Sequence, residues 1–249
     1  MLKTLFTTTV AGAMALAVGI AAPTTSDAAK FDITYTGIVP SPGETVDYRF
    51  NSSNGAASAG AFQMTATDQG QDADLIGNFL AWCFDLTGTI SSAASNNPYE
   101  FEAKDFLSTG ALGRVQSVFD AGYDAALNAT GTTNQIRETR AGFQVAIWEA
   151  IYDGLDSTGL DTNNGTFSLR NAGSDDKARI KTAAAGFLDD ANSYSGSQQW
   201  IITQLAATDL DVQDLGTATV IPLPAAAWLL MAVSGGLIAA KRRHARRGA

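Results

Sequence analysis

The hydrophobic period of this chain changes twice along its length. Residues 31–36 and 45–50 alternate apolar and polar side chains, and 61–66 does so again after an Asn-, Ser- and Gly-rich stretch at 51–60 that reads as a turn. Residues 78–86 are more continuously apolar and read as an interior strand. From about residue 103 the spacing becomes helical, with Leu112, Val115, Val118, Phe119, Gly122 and Tyr123 on one face and a second helical pattern over 134–155. A loop rich in Asp, Asn, Gly and Thr at 156–165 precedes an amphipathic helix over 174–194, and strand character returns at 199–205. A helical block framed by strands predicts an α+β fold: a β sandwich or barrel with an inserted α-helical subdomain.

The two ends stand apart from that body. Met1, Leu2 and Lys3 precede an apolar run over 10–22 and the small-x-small pattern Ser26, Asp27, Ala28, which predicts an N-terminal signal peptide over 1–28. At the other end Ile221-Pro222-Leu223-Pro224-Ala225 leads into an apolar stretch over 226–240 and the basic residues Lys241, Arg242, Arg243, Arg246 and Arg247. Lys and Arg beside an apolar segment stay on the cytoplasmic side, so this C-terminal segment is expected to enter the membrane with its basic end inside. A span shorter than the roughly 20 apolar residues a bilayer requires reads as a processing signal. The order of motif, short span and Arg cluster over 221–249 resembles the PEP-CTERM class of sorting signals in its Val-Pro-Leu-Pro-Ala variety, with Ile221 for Val and Pro222, Leu223, Pro224 and Ala225 completing the motif. That resemblance implies a Gram-negative cell and an exosortase-type membrane protease or transpeptidase as partner. It also implies transient inner-membrane anchoring and delivery of the body to the envelope, cell surface or extracellular matrix. A plain tail-anchored protein is the alternative.

The body over 29–220 is long enough for one sizeable core or two small subdomains. Between Ala29 and Ile221 there are 10 Lys and Arg against 24 Asp and Glu, 10 − 24 = −14. Such a surface repels nucleic acid and anionic lipid, so neither is expected as a partner, and the membrane is met only through the tail. His244, in the tail, is the only histidine. A mature body without histidine has no Cys-His or Ser-His-Asp nucleophile system and no zinc site of the usual kind. No phosphate-cradling Gly loop is present. Asp161, Asn163 and Gly165 echo a calcium loop but lack its closing Glu, and a solvated turn is the better reading. No cofactor or metal is expected.

Cys83 is the only cysteine, so an exported chain leaves it no intrachain disulfide partner. On a strand, Trp82 and Phe84 share one face and Cys83 takes the other. In the second helical pattern residues 141–152 are almost wholly apolar apart from Gln144 and Glu149. Gln144 falls on the stripe of Trp148, Ile151 and Leu155, which should be buried, and a buried amide needs partners. If the strand sets the Cys83 sulfur against the Gln144 carbonyl, loss of ammonia forms an internal thioester that an amine or hydroxyl can open. The alternative is an inert core thiol with Gln144 bonded to backbone.

The body also resembles the thioester domains of Gram-positive surface adhesins. Trp82-Cys83-Phe84 is similar to that family's aromatic-Cys-apolar motif, and Gln144-Val145-Ala146-Ile147-Trp148 to its Gln-x-Ala-apolar-Trp motif. The resemblance spans roughly residues 31–205 and implies Cys83 and Gln144 as the cross-linked pair. Asp85 and Glu149 are candidates for handling protons beside it. Trp148 and Trp200 read as core, and Arg137 and Arg140 as projecting from an exposed helix start. The leading expectation is an exported surface or matrix protein, not an enzyme, that attaches once and covalently to an amine-bearing polymer or protein. The alternative is a non-reactive structural or carbohydrate-associated matrix protein. A calcium-dependent envelope hydrolase would require Asp85 and Glu149 to face each other across an open cleft.

Overall fold

A computed structural model describes residues 30–68, 77–94, 97–153, 160–170 and 174–221. The expected signal peptide and the sorting motif Pro222, Leu223, Pro224 and Ala225, with the segment after it, lie outside the described residues. Among those described, no helix is long and apolar enough to cross a membrane.

Strands β1 (Lys30–Phe50) and β2 (Ser53–Asp68) form a long antiparallel hairpin. The turn expected at 51–60 is only Asn51 and Ser52, at φ 47° and 69°. Left-handed backbone at both central positions makes the two-residue turn whose twist suits the flanking strands, so pairing resumes at once and 53–60 are strand. The two strands expected at 31–36 and 45–50 are likewise one element, bent by register shifts at Tyr35/Gly37 and Val39/Glu44. Pro40 and Pro42 fall in the second shift, where no ladder hydrogen bond needs their missing N–H.

The remaining elements are β3 (Gly77–Cys83), β4 (Tyr99–Ala103), α1 (Thr109–Leu127), α2 (Thr133–Tyr152), β5 (Phe167–Leu169), α3 (Asp175–Ser193), β6 (Trp200–Ala207) and β7 (Leu215–Val220). The strands pair in the order β2-β3-β7-β6-β4-β1, and β1 pairs again with β2. Six antiparallel strands therefore close into a ring, a barrel with the helices inserted between β4 and β6. The ring closes at Phe31 and Ile33, each paired with β2 on one side and β4 on the other. β5 adds to the far end of β1, outside the ring.

Alternation along the strands separates two buried clusters. Ile33, Met64, Ala81, Cys83, Phe101, Leu205 and Leu215, drawn from all six ring strands, belong to one. Trp82 and Phe84 point the other way and join Phe119, Tyr123 and Phe143 of α1 and α2 in the second, where Trp82 meets the Phe143 ring edge-on at 5.2 Å. Helix α2 serves both clusters, and every residue from 141 to 150 is buried. A helix enclosed all round needs apolar residues on every face, which is what the sequence supplies there.

Its start is set by a capping box in which Thr132 accepts from Gln135 N–H and the Gln135 side chain accepts from Thr132 N–H. Gly142 lets α3 approach closely: a Cβ there would meet Ala183 Cβ at 2.6 Å and Ala184 N at 2.9 Å. Gly142→Val is expected to lower unfolding stability by about 1–3 kcal/mol through overpacking, measured by urea denaturation. A variant as stable as the parent would mean that α2 and α3 do not touch at this position.

Candidate functional site

Pairing between β2 and β3 stops at Phe62 and Ala81, while β3 continues to Cys83, which pairs with Leu215 of β7 on its other side. The Gln144 side chain of α2 binds the backbone of Cys83. Cys83 N–H donates to Gln144 Oε1 at 2.8 Å, and Gln144 Nε2 donates to the Cys83 carbonyl at 2.7 Å. The amide thus satisfies both main-chain groups of one strand residue, much as a neighbouring strand would. Both residues are 0% exposed. A buried peptide group left unpaired here would cost about 1–3 kcal/mol.

The structure therefore brings Cys83 and Gln144 together, with the thiol donating to the Asp85 carbonyl at 2.5 Å. Burial, and next the charge of Asp85, push the Cys83 thiol well above its ordinary pKa, so it stays protonated at neutral pH. Gln213 and Trp148 act in the opposite sense, steadying a sulfur anion by their side-chain N–H groups. Gln213 Nε2 also donates to the Asp85 carbonyl at 3.2 Å, while Trp148 Nε1 is buried with no regular hydrogen-bond partner. Trp148 is core, as expected, and polar to the thiol as well. Gln213 went unnoticed in the sequence because it lies in a loop with no pattern around it.

Asp85 adjoins the pair, yet its carboxylate is occupied by backbone. Oδ1 accepts from Thr87 N and Gly88 N at 2.7 and 2.6 Å, and Oδ2 from Asp214 N at 2.6 Å. It ties the end of β3 to the start of β7. Tyr152 completes the rim: its hydroxyl accepts from Leu86 N at 3.0 Å, and burial and then the Asp85 charge raise its pKa. Asp85, Tyr152 and Gln213 are the half-buried groups around the sulfur.

Glu149 is placed elsewhere. It is 0% exposed and turned toward Asp153 and Asp161; Oε1 accepts from Asp161 N at 3.0 Å and Oε2 has no acceptor-type contact. Burial first, then the hydrogen bond and charge of Asp153, push its pKa up to about 10. With Asp85 engaged by three backbone N–H groups and Glu149 sealed in another part of the core, the two carboxyls do not face across an open cleft. Asp161 Oδ1 accepts from Asn163 N and Asn164 N at 2.6 and 3.0 Å, which makes the 161–165 segment a self-bonded turn.

Arg137 and Arg140 differ from the expectation that they project into solvent. Arg137 pairs with Glu44 at 2.6 Å. Arg140 donates to the carbonyls of Ala126 and Leu127, closing the C-terminal turn of α1, and to Val39 of β1.

No protein-family model matches this chain, and no curated protein does. Among solved structures, it is similar to the N-terminal domain of the Streptococcus pyogenes pilus tip adhesin Cpa, at 14% identity over 80% of this chain and 97% of that one, with TM-score 0.44. It is similar to the N-terminal thioester domain of a surface protein from Clostridium perfringens, at 14% identity over 77% and 99% of the two chains, with TM-score 0.45. The N-terminal thioester domain of fibronectin-binding protein SfbI from S. pyogenes matches at 15% identity over 74% and 98%, with TM-score 0.37.

Two outcomes are expected of variants. Gln144→Leu keeps bulk but strips both partners from the Cys83 backbone, and should lower stability by about 2–4 kcal/mol in urea unfolding; a loss within the scatter of surface substitutions would mean the contact is not formed. For Glu149 the folded pKa is raised, so its contribution is complete below the unfolded value of 4.5 and is lost as pH rises toward about 10. Glu149→Gln should therefore match the parent near pH 4 and unfold at a higher temperature near pH 8. Equal midpoints at both pH values would show that Glu149 is ionised in the folded protein.

Proposed function

We propose that this is an exported surface or matrix protein whose body holds an internal thioester between Cys83 and Gln144 and uses it once to attach covalently to a nucleophile on a partner. The observation that carries the reading is the pair of hydrogen bonds that seats the Gln144 amide on Cys83, with both residues fully buried. Effective concentration is the main requirement for a reaction between two weakly reactive groups, and fixing both partners supplies it.

In the bond-forming step Cys83 Sγ attacks Gln144 Cδ, an S–C bond replaces the C–N bond to Nε2, and the thiol proton leaves with the amine as ammonia. When an amine on a partner later attacks Cδ, the C–S bond breaks, an isopeptide-type amide forms through Gln144, and the amine's proton returns to the Cys83 sulfur. The side chains of Trp148 and Gln213, which act to lower the thiol pKa, support the reading because the same effect would favour the leaving thiolate. The amine-bearing target is a surface polymer or a protein. One turnover per molecule makes the device an attachment, not an enzyme. Export follows from the signal-like segment at 1–28. The tail at 221–249 makes an exosortase-type membrane enzyme the partner that processes it and releases the body to the envelope, surface or matrix.

One observation favours a second reading, a non-reactive matrix component. The thiol already donates to Asp85, and the Gln144 amide is fully bonded without any covalent link.

Intact mass separates the two. The thioester requires the purified body to be lighter by one ammonia, a deficit absent from Cys83→Ala and Gln144→Ala. Methylamine should then add to Gln144 and free one thiol for alkylation. Full mass, with Cys83 alkylated in the unfolded protein before any amine is added, leaves the non-reactive reading.

A further inference from the structure

On the opposite side of β1 from the core lies a second feature that the attachment chemistry does not use. Val46, Tyr48 and Phe50 pack inward, so Asp47 and Arg49 occupy the outer face of the same strand. The three-stranded part of the sheet sets polar residues beside them: Arg49 is directly opposite Asn54 of β2 and Ser168 of β5. Arg170 N donates to the Asp47 carbonyl at 2.9 Å, which brings the Arg170 side chain alongside. Together with Ser52 these residues line a cavity of about 630 Å³, and a smaller recess on the same strands adds Lys177 and Lys181 of α3.

The charge here runs against the rest of the protein. Four of the ten Lys and Arg of the body gather around one carboxylate, Asp47, and Lys177 pairs with it. Among the described residues neither Arg49 nor Arg170 has an ion-pair partner, and both are exposed. Two guanidinium forks, one on β1 and one on the residue just past the end of β5, match planar oxyanions, and the hydroxyl and amide groups of Ser52, Asn54 and Ser168 match neutral hydroxyls between them. With a net charge of −14 on the body, a uniformly charged polyanion such as nucleic acid is repelled along most of its length. A polymer carrying isolated acid groups among many hydroxyls is not.

We propose that this groove binds an acidic polysaccharide, taking its carboxylate or sulfate groups on Arg49 and Arg170 and its hydroxyls on the polar floor. Non-covalent capture here does not depend on the Cys83–Gln144 bond, because the residues lining the groove include neither of that pair nor any of their hydrogen-bond partners. It would hold a matrix polymer against the body whether or not the thioester forms.

The test is titration calorimetry of the purified mature protein at low salt with an oligosaccharide carrying a uronic acid on every second sugar, one carrying a sulfate on every second sugar, a neutral oligosaccharide of equal length and oligo-dT. The acidic sugars should bind and weaken with salt, and the neutral sugar and oligo-dT should not. Which of the two acidic sugars binds tighter identifies the acid group. The Arg49→Gln, Arg170→Gln double variant, both positions being exposed, should keep the parent's thermal midpoint and weaken binding by about tenfold or more. Cys83→Ala should bind as the parent does, so loss of the thioester and loss of this site are read separately. Absence of binding to both acidic sugars, undiminished binding by the double variant, or equal binding of oligo-dT overturns the proposal.

Discussion

A side-chain amide standing in for a strand is the contact on which the arrangement rests. β3 outruns β2 by two residues, and without Gln144 the main chain at Cys83 would be buried with nothing to bond. That requirement fixes the height and rotation of α2 relative to the barrel, because the amide must meet both an N–H and a C=O of one residue at once. The helix has no freedom to slide by a turn. Its other contacts follow from that position: Val145 and Trp148 fall in the barrel-side cluster, and Phe143, Ala146 and Ile147 in the cluster with Trp82 and Phe84.

A helix fixed at its middle and buried on all sides restricts what can surround it. Gly142 opens space for α3, Gly122 lets Phe187 and Phe143 pack over α1, and Arg140 ties the start of α2 to the end of α1. The polar groups it carries inward are few, and each has a distinct solution. Gln144 is bonded by backbone, whereas Glu149 is kept as a neutral acid by burial.

The helices and the alternation around Cys83 were legible because both depend on periodicity, which a sequence displays directly. The three helices lie where the spacing predicts, and Cys83 does face away from Trp82 and Phe84. Gln144 stood out for a physical reason, a polar residue on a stripe that had to be buried. What the residues did not disclose depends on partners distant in sequence. β4, β5 and β7 are short and were missed, and between Leu215 and Val220 β7 holds only Gly, Thr and Ala. The closure of the ring through β1 has no local signal at all. The Glu149 environment needed residues 12 positions away, and Gln213 needed the loop that Asp85 organises.

The order of strands in the ring has a consequence in time. β3 lies between β2, which precedes it, and β7, which is the last element among the described residues. In any chain that emerges N-terminus first, from a ribosome or through a membrane, β3 has only one neighbour until some 130 residues later, when Leu215 arrives to pair with Cys83. Until then the ring is an open sheet with the cysteine at its unfinished seam. Whatever chemistry Cys83 performs is thus deferred to the final step of assembly, and an incomplete chain cannot perform it early.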